Sequence, residues 1–126
     1  IACASMITGG VAARHPKLRI AFSHGGGTMP VLLPRLVHAW NMVQKSKESL
    51  TESPAVTAKR FYYDDVLFDA DSIRFLVNRF GASQVLVGTD YPFALGEQDP
   101  LGRLAALDSE TRNLITSTNA KRFLGL

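Results

Sequence analysis

Cysteine is almost absent from this sequence: Cys3 is the only one in 126 residues. A single thiol excludes an internal disulfide framework, fits a reducing cytoplasm and reads as a small core residue. No block of consecutive basic residues accompanies the net charge of +3. Lys and Arg are scattered among acids, so surface solvation accounts for them and neither a nucleic-acid nor a membrane partner is indicated. The opening IACASMITGGVAA carries no Lys or Arg ahead of its apolar run and is too short to span a bilayer, so it reads as neither signal peptide nor transmembrane helix. Low-complexity tracts are lacking too. What is present, 46% hydrophobic and 20% charged residues, is ordinary for a globular protein and fits one domain over residues 1–126 with a sizeable core. The chain opens at Ile1 in what reads as mid-helix, which suggests a piece of something longer.

Residues 85–93, VLVGTDYPF, are the most informative stretch. Val85, Leu86, Val87 and Gly88 read as a strand buried on both faces, ended by Thr89, Asp90 and a Tyr-Pro pair that cannot continue it. A carboxylate is thereby delivered to a strand's C-terminal end. Open α/β sheets and (β/α) barrels keep their chemistry there, because loops converge on a cavity over rigid strands. A buried Asp needs a cation, a metal ion or several donors. On the residue pattern alone two readings of Asp90 stand level: a group that awaits such a partner, or a cap on the following turn through its own backbone.

Residues 1–14 are small and apolar and read as one helix, closed by His15-Pro16 because the residue before proline is pushed out of the helical region. Residues 18–23, LRIAFS, read as a strand that ends at His24 and three glycines. Thr28 is the expected N-cap of the next helix and Pro30 fits its first turn, whereas Pro34 lies too deep and should kink or restart it. Leu36, Val37, Trp40 and Val43 share a face of that helix, with Arg35, His38, Asn41 and Gln44 opposite. Residues 45–59 are polar and read as a connection with one helical turn near 55–59. Phe61, Tyr62 and Tyr63 form a strand leading into Asp64-Asp65 and on to Val66, Leu67 and Phe68. Asp69 or Asp71 caps a helix whose Ile73, Leu76, Val77 and Phe80 recur at i, i+3, i+4, i+7 before Gly81 stops it. Beyond the key strand come a loop over 94–100, a short helix over 101–107, and another helix opened by Asp108-Ser109 that turns Leu114 and Ile115 inward. Asn119 is expected to cap the last turn, with Phe123 and Leu124 packing before Gly125.

The pattern is thus a helix and then three rounds of strand and helix, with His24, Asp64 and Asp90 each at a strand's C-terminal end. Such alternation means a parallel sheet with right-handed crossovers. Three strands cannot close a barrel, and helices on one side leave the other face and both edges of the sheet uncovered. A (β/α)8 barrel takes about 250 residues, roughly double the length here. The fold class is α/β, and the chain reads as half of a barrel.

Taken together, SHGGG at 23–27 with the proline, Arg35 and Trp40 that follow, FYYDD, GTDYPF with LGE at 95–97, and the ending NAKRFLGL at 119–126 resemble one family. It is that of the amidohydrolase-superfamily decarboxylases, the group of aminocarboxymuconate-semialdehyde decarboxylase, in its C-terminal third. The resemblance runs from Gly9-Gly10 to the end; HGGG and GTDYPF in this order and distance are fairly specific, while either alone is weak. It implies a (β/α)8 TIM barrel, of which this chain supplies about three βα units, strands 6 to 8, and the C-terminal helices. It also implies one divalent metal at the C-terminal mouth, zinc or else manganese. In that family a His-x-His pair on the first strand, a His on the fifth and the Asp of GTDYPF on the eighth hold the metal, and Asp90 matches the last. His24 matches the His of HGGG, beside the metal's water, which it helps to polarise or deprotonate. A divalent ion lowers the pKa of water toward neutrality, and an imidazole near its own pKa can accept the proton. His and Asp are ordinary zinc ligands. Phe93 matches an aromatic wall over the substrate, and Gly25 and Gly26 would let substrate approach the backbone closely. Two departures qualify the match. The His-x-His pair and the fifth-strand His have no counterpart, since His15 and His38 lie at a helix end and on a helix face, so the chain alone is expected not to hold zinc tightly. An arginine that grips the substrate carboxylate in the muconate decarboxylases falls on Val43, which favours a different aromatic or unsaturated acid.

The sequence supports three functional readings. One is a metal-dependent non-oxidative decarboxylase of a small carboxylic acid, with Asp90 as ligand and proton carrier and His24 as general base or acid. Another is a hydrolase or hydratase acting on C–N or C–O bonds through the same metal site. In the third the isolated stretch has no catalysis, and His24 with its glycines is a tight turn or an anion nest. Asp64 reads as a structural hydrogen-bond acceptor. An unclosed half with apolar inner positions tends to associate, as a homodimer or with the absent half.

Overall fold

Tyr63 is the residue around which the fold is assembled. In the computed structural model of the chain, which describes residues 1–43, 48 and 50–126, its ring stacks on Phe80 with centroids 3.9 Å apart and planes at 5°. Phe22 packs beside it at 6.0 Å, and its hydroxyl donates to the Ala58 carbonyl at 2.8 Å. The buried polar tip is thereby satisfied, as the burial of a tyrosine requires.

Three short strands form one parallel sheet in chain order: β1 (Ala21–Phe22), β2 (Tyr62–Asp64) and β3 (Val85–Leu86). The register sets Phe22 beside Tyr63 and Tyr63 beside Val85. All three strands therefore end at the same edge. The helices are α1 (Ala2–Thr8), α2 (Val11–Arg14), α3 (Met29–Met42), α4 (Pro54–Ala58), α5 (Ala70–Phe80), α6 (Ser109–Asn113) and α7 (Asn119–Leu124). A π-helical turn over Leu114–Thr118 joins α6 to α7. The core holds Ile7, Met29, Leu33, Phe61, Tyr63, Ile73, Leu76, Phe80, Val85, Leu104 and Ile115. No helix among the described residues is long and apolar enough to cross a membrane.

α5 follows the sequence reading closely. Ile73, Leu76 and Phe80 are buried, Asp69 accepts the Asp71 and Ser72 N–H groups as N-cap, and Gly81 ends the helix at φ 96°. Elsewhere the structure corrects that reading. The N-terminal run is two helices, because Gly10 turns left-handed at φ 64° between α1 and α2. Thr28 stands at the N-cap of α3 but caps nothing with its side chain, and α3 runs through Pro34 without interruption. Val43 falls just past α3 and is half exposed, so it leaves the apolar face; Gln44 lies outside the described residues. Val66, Leu67 and Phe68 leave the strand for a loop in which Phe68 takes φ 60°. The helix expected over 101–107 is a 3-10 turn, Gly102–Leu104.

The strands are shorter than their apolar runs. Over 85–87 only Val85 is fully buried, Leu86 and Val87 being partly covered. The outer edge of β3 is nevertheless covered, contrary to expectation: Val87 N–H donates to the Ile115 carbonyl at 3.2 Å. Asn119, fully buried, donates from Nδ2 to the carbonyls of Val85 and Ala82, each at 2.7 Å. Asn119 therefore fastens the terminal helix to the sheet instead of capping it.

Candidate active site

His24 follows β1 and Asp90 follows β3, so the strand between them, β2, sets their separation. His24 Nε2 lies 3.9 Å from Asp90 Oδ1, with the His side chain half exposed and the Asp side chain about a third exposed. That is ion-pair range, longer than a hydrogen bond. Both residues take left-handed backbone conformations, φ 52° for His24 and 60° for Asp90. Asp and His enter that region more readily than most non-glycine residues, at a modest cost.

The Asp90 carboxylate has no hydrogen-bond donor among the described residues; its one polar neighbour is His24. The turn after it is capped by Thr89, whose Oγ1 accepts the Tyr91 N–H at 3.3 Å. The turn-cap role thus belongs to the threonine, and the carboxylate is left facing the strand-end edge. His24 is oriented from its other nitrogen, with Nδ1 3.4 Å from the Val66 carbonyl. When Nδ1 carries a proton it donates there, which leaves Nε2 as the ring nitrogen nearer Asp90.

Asp64 serves the turn that carries His24. Its Oδ1 accepts the Val66 N–H at 3.1 Å and the Gly25 N–H at 3.3 Å, the acceptor role expected of it. Gly25 and Gly26 are packed onto the core beneath the turn. A Cβ on Gly26, at φ 77°, would come within 2.9 Å of the Tyr63 ring, and one on Gly25 within 3.1 Å of Leu67. Phe93 is exposed and lines a cleft of about 500 Å3 with Thr89, Tyr91, Pro92, Glu97 and Pro100. Neither His24 nor Asp90 is part of that cleft's wall.

One cluster escapes sequence reasoning. Asp65 is wholly buried and receives Arg103 Nη2 at 2.6 Å together with the Gly88 N–H at 2.8 Å. Arg103 Nη2 also donates to the Gly88 carbonyl at 2.6 Å, and Nη1 pairs with Glu97 Oε2 at 2.7 Å. Burial pushes the Asp65 carboxyl up, opposed by Arg103 and the Gly88 N–H. The Asp99 N–H, and after it Arg103, hold Glu97 below the usual carboxylate range. Burial works against the Arg103 charge, but Asp65 and Glu97 outweigh it and keep the guanidinium above its ordinary range. Asp65 and the LGE motif were in view in the sequence. Nothing local linked them to Arg103, which lies 38 residues beyond Asp65.

The donor types at the strand-end edge, a free carboxylate and an imidazole, suit a divalent ion. Their number does not complete a site, since no group of three or more His, Cys, Asp or Glu among the described residues could hold one.

The amidohydrolase family model matches residues 2–126. The chain is 35% identical over 130 residues to 2-amino-3-carboxymuconate-6-semialdehyde decarboxylase of Dictyostelium discoideum, covering 100% of this chain and 36% of that protein. It is 32% identical over 104 residues to the Caenorhabditis elegans enzyme of the same name, covering 82% of this chain and 26% of the relative. The chain therefore spans between about a quarter and just over a third of these relatives' length. Among solved structures it superposes on the dihydroxybenzoic acid decarboxylase of Polaromonas sp. JS666, with bound manganese and the inhibitor 2-nitroresorcinol, at a TM-score of 0.83. That match is 19% identical and covers 98% of this chain and 39% of the other; it shows the shared fold. A three-stranded parallel sheet flanked by helices is consistent with part of such a fold.

Proposed function

The chain belongs to the amidohydrolase family, and we propose that it is the C-terminal part of a metal-dependent, non-oxidative decarboxylase acting on an aromatic or unsaturated carboxylic acid. On this reading residues 1–126 belong to one (β/α)8 barrel domain, with β1, β2 and β3 as its strands 6 to 8. The observation that carries it is the Asp90 carboxylate, claimed by no donor among the described residues and with His24 Nε2 at 3.9 Å. The names of the relatives supply the reaction class, for those matched are decarboxylases.

Asp90 would provide one carboxylate ligand to a divalent ion, zinc or manganese, and the remaining ligands would come from residues outside this stretch. Such an ion, when bound, supplies positive charge that polarises an oxygen of the substrate or of water. The chain's own residues do the rest. Decarboxylation breaks the bond between the carboxylate and its carbon; the bonding pair stays on that carbon, which takes up a proton as CO2 departs. His24, carrying a proton on Nε2, would deliver it to that carbon, with Nδ1 3.4 Å from the Val66 carbonyl supporting this orientation. Asp90, beside it, is the alternative carrier. Phe93 would lay an apolar ring on the substrate, and the backbone at Gly25 and Gly26 would border it.

The test is turnover by the full-length, metal-loaded protein on a panel of hydroxylated benzoates and unsaturated diacids, read as CO2 release. Loss of CO2 without consumption of an oxidant supports the proposal. Hydrolysis of amides or lactones with no CO2 from any acid would overturn it in favour of the hydrolase reading.

A further inference from the structure

Among the described residues no donor grips the Asp90 oxygens, so the direction of its carboxylate is set through its backbone. We infer that Arg103, acting with Asp65 and Glu97, is the positioning group that fixes the Gly88–Thr89 backbone and so aims the Asp90 carboxylate. The inference rests on the reading of Asp90 as a metal ligand.

Three polar backbone groups just before Asp90 lead back to this one guanidinium: the Gly88 carbonyl, the Gly88 N–H and the Thr89 carbonyl. The Gly88 carbonyl accepts from Arg103 Nη2 at 2.6 Å. The Gly88 N–H donates at 2.8 Å to Asp65 Oδ1, the oxygen that Arg103 Nη2 also meets. The Thr89 carbonyl accepts at 2.7 Å from the N–H of Glu97, whose carboxylate pairs with Arg103 Nη1. Gly88 is packed closely on one side, where a Cβ would lie 2.8 Å from Val66 and 3.1 Å from Asp64. The planar guanidinium fork spans the two carboxylates and the carbonyl at once, which an ammonium on a flexible stem could not do.

The cluster's burial argues for the same role. The Arg103 side chain is 7% exposed and Asp65 is 0% exposed. Buried ion pairs seldom stabilise a fold more than apolar residues of similar volume would, so their presence calls for another use. Holding Asp90 in the left-handed region, at φ 60°, is such a use. Groups beyond the ligand shell that orient a ligand commonly change metal affinity by about 10–100-fold when removed.

The experiment measures Zn2+ dissociation constants of the full-length protein by competition with a chromogenic chelator, for the parent and for Asp90→Ala, Arg103→Met and Glu97→Gln. Amide exchange over residues 86–99 is followed in parallel. The expected result is a loss of about 10–100-fold in affinity for Arg103→Met and a smaller loss for Glu97→Gln, with faster exchange at the Glu97 N–H. Should Arg103→Met not fold, Glu97→Gln decides alone, since Glu97 lies on a loop outside the core. Parent-like affinity in Glu97→Gln and Arg103→Met, with metal lost from Asp90→Ala, would overturn the inference and leave the site reading standing. Parent-like affinity in Asp90→Ala would overturn both.

Discussion

Asp64 and Asp65, adjacent at the end of β2, serve opposite neighbours: Asp64 accepts the Gly25 N–H on the β1 side and Asp65 the Gly88 N–H on the β3 side. One strand end thus ties down both loops that carry candidate catalytic groups, His24 beyond β1 and Asp90 beyond β3. The backbone on either side of β2 thus carries the imidazole and the carboxylate, with the His24 Nδ1 also resting 3.4 Å from the Val66 carbonyl.

The glycines after His24 make unequal demands. Gly26 and Gly27 both sit at positive φ, 77° and 65°, yet a Cβ on Gly26 would meet the Tyr63 ring while one on Gly27 would meet nothing within 4 Å. Gly27→Ala should cost about 1–3 kcal/mol for its backbone alone, since φ 65° with ψ −124° is a region that side-chain-bearing residues rarely enter. Gly26→Ala should cost a further ~1–3 kcal/mol for overpacking. Urea denaturation of the two variants measures the difference, and equal losses would refute the packing argument.

Cys3 is buried, and desolvation pushes its thiol up to about 11 despite contact with the Tyr63 hydroxyl. The thiolate is the reactive form. Native protein is therefore expected to resist iodoacetamide at Cys3 at neutral pH and to react only on unfolding or near pH 11. For an acid with a raised folded pKa, the stabilising contribution is complete below the unfolded value and lost as pH rises through the folded one. Mass spectrometry of the Cys3 peptide across pH is the check.

Acid should weaken the helix starts. Ser72, through hydroxyl and N–H, and then Asp71 hold the Asp69 carboxyl below its ordinary range. The Thr111 N–H and then its hydroxyl do the same for Asp108. A lowered folded pKa gives stability that is present above the unfolded value, about 3.9, and lost as pH falls through the folded value. Asp69→Asn and Asp108→Asn keep a capping side chain without the charge. Thermal melts below about pH 4 should therefore show a shallower acid slope in both than in the parent.

What the sequence made legible was local. Ile73, Leu76 and Phe80 repeat at helical spacing, Asp69 and Gly81 bracket them, and the three strand ends announce themselves by a polar residue after an apolar run. What it hid depends on contacts between distant segments. Asn119 looks like a cap because a capping amide and a buried one have the same side chain; only the approach of the Val85 carbonyl decides. Arg103 looks like any surface arginine until the loop after Asp90 folds it back onto Asp65. The strands over 18–23 and 85–88 were overread, since the ladder holds only Ala21–Phe22 and Val85–Leu86 of those runs.

The central claim is a division of labour at the strand-end edge, with Asp90 holding the ion and His24 moving the proton. Metal content and kcat of full-length Asp90→Asn and His24→Gln, measured side by side, test it most directly. The account predicts that Asp90→Asn loses most of its metal, and that His24→Gln keeps its metal while kcat falls about 10²–10⁴-fold. Full metal in Asp90→Asn, or an unchanged kcat in His24→Gln, would contradict it.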